Sequence, residues 1–158
     1  MAPVEETHVQ DPATQLVAFP LAEWERGGLV ATLHRAGLST KDIGAVHAHY
    51  WRFIRQDDMP VGFGGLENHG GDALMRSVVT LPPVRGKGYA RTIVTALESE
   101  AGLFKCHTVW LLTENASGFF AKLGYKACPR EDMPESIRDA LQYSLTPASA
   151  IAMTKRIG

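Results

Sequence analysis

The stretch Leu81-Pro82-Pro83-Val84-Arg85-Gly86-Lys87-Gly88-Tyr89-Ala90 decides the fold. Residues 73–80 before it have the composition of a strand, and the residues after it have the period of a helix. Ala90, Ile93, Val94, Leu97 and Ala101 fall at i, i+3, i+4, i+7 and i+11, with Gly102 as the expected stop. A strand, a tight turn with two glycines and a helix start are therefore met in that order. The first turn of a helix leaves backbone N–H groups unpaired and carries partial positive charge. Glycines let the backbone approach an anion closely and adopt positive φ. A pyrophosphate is the anion that such a turn fits. Arg85 and Lys87 add charge, worth about 1 kcal/mol each at an exposed rim. Two other phosphate loops are excluded by spacing: Tyr89 and Ala90 after Gly88 do not complete Gly-x-Gly-x-x-Gly, and Gly-x-x-x-x-Gly-Lys-(Ser/Thr) is absent.

Working outward toward the N-terminus, residues 51–56 and 60–66 read as strands across an Asp57-Asp58 turn. The cluster Asn68-His69-Gly70-Gly71-Asp72 turns the chain into 73–80, which completes a three-strand meander. Further upstream, 14–19 alternates as a strand, and Pro20 and Leu21 open a helix with Leu29, Val30 and Leu33 on one side. That helix has a weak point at Gly27 and Gly28 and ends near Gly37. Ser39 and Asp42 resemble a capping box, and Ile43, Val46 and Tyr50 at helical spacing predict a second helix. Beyond Gly102, residues 108–113 form a compact apolar strand suited to the middle of a sheet. Residues 115–123 carry Phe119, Phe120 and Leu123 on a short helix closed by Gly124. Strands at 125–128 and 148–155 flank a proline-broken segment that is helical near 135–141. Seven strands among helices make a mixed α/β fold.

The length of 158 residues fits one domain, expected over residues 13–158 behind a flexible tail at 1–12. That tail lacks the basic region and apolar core of a signal peptide. A formal net charge of -1 removes the electrostatic case for nucleic acid. No apolar run approaches the roughly 20 residues that cross a bilayer, so a cytoplasmic location is expected. Cys106 and Cys128 are too few for a disulfide framework and lack Cys-x-x-Cys spacing. Neither a metal site nor thiol capture of a soft metalloid is expected from two isolated thiols.

Arg85-x-x-Gly88-x-Ala90 resembles (Gln/Arg)-x-x-Gly-x-(Gly/Ala), the acetyl-CoA-binding signature of the GNAT superfamily of N-acetyltransferases. Phe119-Phe120-Ala121-Lys122-Leu123-Gly124-Tyr125 is similar to the aromatic-aromatic-x-x-x-Gly-(Phe/Tyr) stretch of the same family, and the resemblance extends over residues 51–128. It implies a mostly antiparallel sheet of about seven strands, splayed between strands four and five and flanked by helices. The pantetheine arm of acetyl-CoA would run along the backbone of Val78, Val79 and Thr80. Its pyrophosphate would meet the backbone of Arg85, Gly86, Lys87, Gly88, Tyr89 and Ala90, with Asn115 near the pantetheine or adenosine. A homodimer is the family's usual arrangement.

Amine attack on a thioester needs a neutral amine, a polarised carbonyl and a proton for the leaving thiolate. The family places a backbone N–H near Val79 for the carbonyl. Glu67 is the best-placed carboxylate for a base, acting directly or through water, and His49 is a second candidate beside the acceptor. Many relatives have a tyrosine as the second aromatic of the short helix, where it protonates the thiolate. Phe120 stands there in this chain, Tyr125 is expected in the core, and the acid is unassigned.

Three further stretches narrow the resemblance: Leu74-Met75-Arg76-Ser77, Leu111-Leu112-Thr113 and Ser144-Leu145-Thr146-Pro147-Ala148-Ser149-Ala150. Together they are similar to the small acetyltransferases of arsenic-resistance operons, of the arsinothricin type, and to the acetyltransferase domain of N-acetylglutamate synthase. The implied acceptor is a small amine shaped like glutamate or an arsenic- or phosphorus-containing analogue. Its acid groups call for a bidentate arginine or hydroxyl donors. Arg76 is the first choice, followed by Ser149 and Thr113. An acetyl-CoA sensor without turnover and a protein acetyltransferase are the competing readings, and Phe120 favours the first of these.

Overall fold

The computed structural model describes residues 15–38, 48–141 and 148–158. The expected tail, the Ser39–Asp42 cap, Ile43, Val46 and the segment Ser144 to Pro147 lie outside the described residues. Among the described residues the chain runs β1 (Leu16–Pro20), α1 (Arg26–Arg35), β2 (Ala48–Arg55), β3 (Pro60–His69) and β4 (Asp72–Thr80). It continues through α2 (Tyr89–Leu103), β5 (Thr108–Thr113), α3 (Ser117–Lys122), β6 (Lys126–Cys128), α4 (Glu135–Leu141) and β7 (Ile151–Arg156). The seven strands make one sheet in the order β1-β2-β3-β4-β5-β7-β6, antiparallel throughout except for the parallel neighbours β4 and β5.

Helices cover both faces. On one face α2 buries Ile93, Val94, Leu97 and Ala101, the positions its period predicts, against Phe53, Leu66, Met75 and Val109. On the other, Leu29 and Leu33 of α1 meet Tyr50, Phe63 and Val79, while Met133 and Ile137 beside and within α4 meet Leu74 and Ala152. Burial from two sides explains the glycines of β3. A Cβ on Gly64 would come 2.7 Å from Leu97 Cδ1, and one on Gly65 would come 2.6 Å from the Tyr50 ring. At Gly64 the close approach of α2 leaves no room for a side chain, and at Gly65 the ring of Tyr50 from the neighbouring strand β2 takes the space.

Several boundaries differ from expectation. Tyr50 belongs to β2, not to a helix, because 48–53 places Tyr50 in the α1-side cluster and Trp51 and Phe53 in the α2-side cluster, a strand's alternation. A 3-10 turn over Glu23–Glu25 precedes α1, so Gly27 and Gly28 lie in its first turn. Val30 is exposed, one residue around the helix from buried Leu29. α2 runs past Gly102. It closes at Lys105, whose φ is 68°, with the Cys106 N–H returning to the Ala101 carbonyl at 3.0 Å.

Candidate active site

β4 and β5 pair only over Asp72↔Thr108, Ala73↔Val109 and Leu74↔Trp110. The Trp110 indole N–H donates to Asp72 Oδ1 at 2.9 Å, pinning the closed end. Beyond Leu74 the two strands part. Between them opens a cleft of about 640 Å³ walled by Met75, Arg76, Ser77 and Val78 of β4, by Leu111 to Thr113 of β5 and by Glu114 to Ala116 after it. Phe120 of α3, Leu141 of α4, Ala150 and the turn at Ala36, Gly37 and Leu38 complete the walls.

A bulge in β4 shapes this opening. Gly65 opposes Arg76 and Phe63 opposes Val79, so three steps along β4 answer two along β3. Ser77 takes up the extra residue at φ 58°, a left-handed conformation that costs a non-glycine residue roughly 1–2 kcal/mol. The bulge takes backbone groups out of the β3 ladder at the point where β4 lines the cleft. The side chains of Val78 and Val79 pack in the core, so the backbone of residues 78–80 is what this strand offers.

The loop 85–88 is exposed throughout, and its glycines have φ of 78° (Gly86) and 85° (Gly88). Gly88 stands immediately before α2, and no side chain caps that helix. The first-turn donors therefore remain for another acceptor. These features fit the pyrophosphate of acetyl-CoA. Arg85 Nε donates to the Thr80 carbonyl at 3.2 Å, which ties the loop to the end of β4. Lys87 is exposed, and Tyr89 is buried, so its backbone alone faces the loop. Asn115 is exposed on the cleft wall.

The residues expected on the acceptor side divide. Arg76 lines the cleft and its Nη1 is ion-paired with Glu67 Oε2. Glu67 is neither solvated nor on the cleft wall: it is 2% exposed, behind Arg76. Thr113 lines the cleft, but its hydroxyl accepts the Ala116 N–H at 3.0 Å and so shapes the turn into α3. Ser149 is exposed in the turn before β7, not in a strand, and the neighbouring Ala150 reaches the cleft instead. His49 is on β2, not at a helix end, with its ring 4.8 Å from that of Phe104 on the α2 face. That places it across the sheet from Arg76 and Glu67.

His69 was missed. Its Nε2 lies 2.9 Å from Glu67 Oε1 and its Nδ1 3.1 Å from Ser136 Oγ. The signal was Glu67-x-His69, two residues on one face of a strand; assigning His69 to a turn concealed it. Tyr125 is buried as expected and donates to Glu98 Oε2 at 2.8 Å, and Lys155 Nζ pairs with the same carboxylate at 3.1 Å. Burial, reinforced by the Glu98 charge, pushes the Tyr125 hydroxyl above the ordinary tyrosine range. Phe120, whose ring meets Tyr125 edge-on at 5.5 Å, is the aromatic that reaches the cleft.

A sheet opened between parallel neighbours, with an uncapped helix and two left-handed glycines beyond the end of β4, is the arrangement of the GNAT fold. Residues 46–127, more than half of the chain, match the model of the acetyltransferase (GNAT) domain, and the chain belongs to that family. Compared with curated proteins, the chain finds no match.

Solved structures share the fold. N-acetylglutamate synthase from Neisseria gonorrhoeae, complexed with coenzyme A and N-acetyl-glutamate, superposes with a TM-score of 0.75 at 12% identity. The match covers 91% of this chain and 35% of that one, so the chain spans about a third of the synthase's length. Rv2747 from Mycobacterium tuberculosis, in complex with CoA, gives 0.69 at 17% identity over 89% of this chain and 98% of that one. The spermidine/spermine N-acetyltransferase SpeG from Vibrio cholerae gives 0.63 at 13% identity, over 93% and 95%. At these identities the likeness shows the fold. Among the described residues no helix is long and apolar enough to cross a membrane.

Proposed function

We propose that the enzyme acetylates the amine of a small amino-acid-like acceptor with an acidic side group, in the class of glutamate and its arsenic- or phosphorus-containing analogues. Arg76 carries this reading: the residue lines the cleft, one position before the bulge, and its guanidinium is paired with Glu67. A planar guanidinium is suited to bidentate recognition of a carboxylate, phosphinate or arsonate. Acetyl-CoA supplies the thioester, held along residues 78–80 and by the backbone of residues 85–90. Close placement of amine and thioester then supplies much of the rate.

Glu67 enters the chemistry through Arg76 or through a water, since its carboxylate does not line the cleft. Phe120 has no proton to give, so the thiolate takes its proton from water or from another group, and the acid is unassigned. Walls from the turn after α1, from α4 and from the segment before β7 favour a small acceptor over a peptide. Cys106 and Cys128 are both free thiols, which fits a cytoplasmic enzyme, and a homodimer is the expected assembly. Resistance to an arsenic- or phosphorus-containing antibiotic would be its use to the cell.

The test is thiol release from acetyl-CoA against glutamate, phosphinothricin, arsinothricin, a polyamine and a lysine peptide. Release confined to the acidic amino acids supports the proposal. Preference for the polyamine or the peptide refutes the acceptor class, and silence across the panel argues for an acetyl-CoA sensor.

A further inference from the structure

Ser136, His69, Glu67 and Arg76 touch one another in that order, from the protein surface to the cleft. Ser136 is exposed on α4, and the side chains of His69, Glu67 and Arg76 are 8%, 3% and 12% exposed. Each carboxylate oxygen of Glu67 has its own partner: Oε1 meets His69 Nε2 at 2.9 Å, and Oε2 meets Arg76 Nη1. A carboxylate held at both oxygens cannot rotate, and a guanidinium paired to it is aimed by it. α4 takes part twice, because Leu141 at its other end lines the same cleft. His69 is thus the link between the helix that walls the cleft and the charged pair that faces it.

We infer that His69 is a positioning residue for the acceptor's acid group: docked on Ser136, it fixes the Glu67 carboxylate and through it the direction of the Arg76 guanidinium. This rests on the reading of Arg76 as the acid-group ligand. Removing His69 takes away the partner of Glu67 Oε1 and so slackens the carboxylate that aims Arg76. The loss falls on acceptor binding and spares acetyl-CoA, whose loop lies at the far end of β4.

The experiment is steady-state thiol release with phosphinothricin as acceptor for the wild type, His69→Ala, His69→Gln, Ser136→Ala and Arg76→Ala. Outer-sphere partners that orient the ligands of metal sites set the scale, since their removal costs roughly 10-fold or more. His69→Ala should raise the acceptor KM by about that factor, with the acetyl-CoA KM little changed. His69→Gln, which keeps an N–H donor able to reach Glu67, should restore most of the loss. Ser136→Ala should show a smaller rise; being at the surface, it also tests the chain if His69→Ala fails to fold.

A purely structural role would lower kcat and raise both KM values together, and that pattern overturns the inference. So does an unchanged acceptor KM in both His69→Ala and Ser136→Ala, or a glutamine variant as impaired as the alanine one. If Arg76→Ala leaves the acceptor KM unchanged, or the wild type releases no thiol with phosphinothricin, glutamate or arsinothricin, the reading of Arg76 has failed. A raised KM in Arg76→Ala beside a normal His69→Ala discards only the role of His69.

Discussion

Gly62 offers the sharpest test of the backbone of β4 as the seat of acetyl-CoA. A Cβ built on Gly62 would lie 2.1 Å from the Val79 carbonyl oxygen and 3.0 Å from Thr80 Cα. An ordinary carbon–oxygen contact is about 3.3 Å or longer. Gly62→Ala therefore drives β4 back by about 1.2 Å at Val79, where the pantetheine is expected. The obstacle is backbone, so no side chain can turn aside to relieve it.

Overpacking of this kind costs about 1–3 kcal/mol. A misplacement of about 1 Å at a reacting centre costs on the order of 100-fold in rate. Gly64→Ala is the control, because its Cβ meets only the ends of Leu97 and Ile93, 2.7 Å and 3.2 Å away. Both variants should melt several degrees below the wild type, at about 2–4 °C per kcal/mol for a domain of this size. In a thiol-release assay at 25 °C, Gly62→Ala should lose about 100-fold in kcat/KM and Gly64→Ala far less. Equal losses in the two, or full activity in Gly62→Ala, would refute the reasoning.

Gly88→Ala, at φ 85°, should destabilise the fold by about 1–2 kcal/mol in denaturant unfolding and raise the acetyl-CoA KM with the acceptor KM unchanged. Phe120→Tyr places a hydroxyl at the cleft and should raise kcat by about 10-fold, with an unchanged kcat showing that water already serves the thiolate. Tyr125→Phe should cost about 1 kcal/mol through its hydrogen bond to Glu98 and leave turnover intact. The raised Tyr125 pKa means that the folded state holds this proton more tightly than the unfolded one. Its contribution is complete at neutral pH and is lost as pH rises above the ordinary tyrosine range, so the wild type should lose more stability there than Tyr125→Phe. Burial likewise raises the Cys106 thiol, which should resist alkylation in the native protein and react on unfolding.

What the chain discloses in one dimension is what local chemistry controls. The run from Arg85 to Ala90 contains its own evidence for an anion-binding turn, since positive φ at Gly86 and Gly88 and an uncapped helix start depend on neighbours in sequence. The period of α2 and the apolar compactness of β5 were legible for the same reason. Tyr50 misled because a spacing of Ile43, Val46 and Tyr50 satisfies a helix, while the alternation of residues 48–53 satisfies a strand, and sheet neighbours chose the second.

The acceptor side belongs to tertiary structure. Glu67 and Arg76 are nine residues apart, and only the β3–β4 register with the bulge at Ser77 brings them together. Ser136 reaches His69 across 67 residues. Arg76 gains its place on the cleft because β4 and β5 part after Leu74, which no periodicity announces. Sequence by itself determined the turn that can hold a pyrophosphate, since the geometry of a turn is set by its own dihedral angles. Which charges stand at the cleft was decided by packing, because a buried carboxylate settles wherever the folded chain supplies it with cationic and N–H partners.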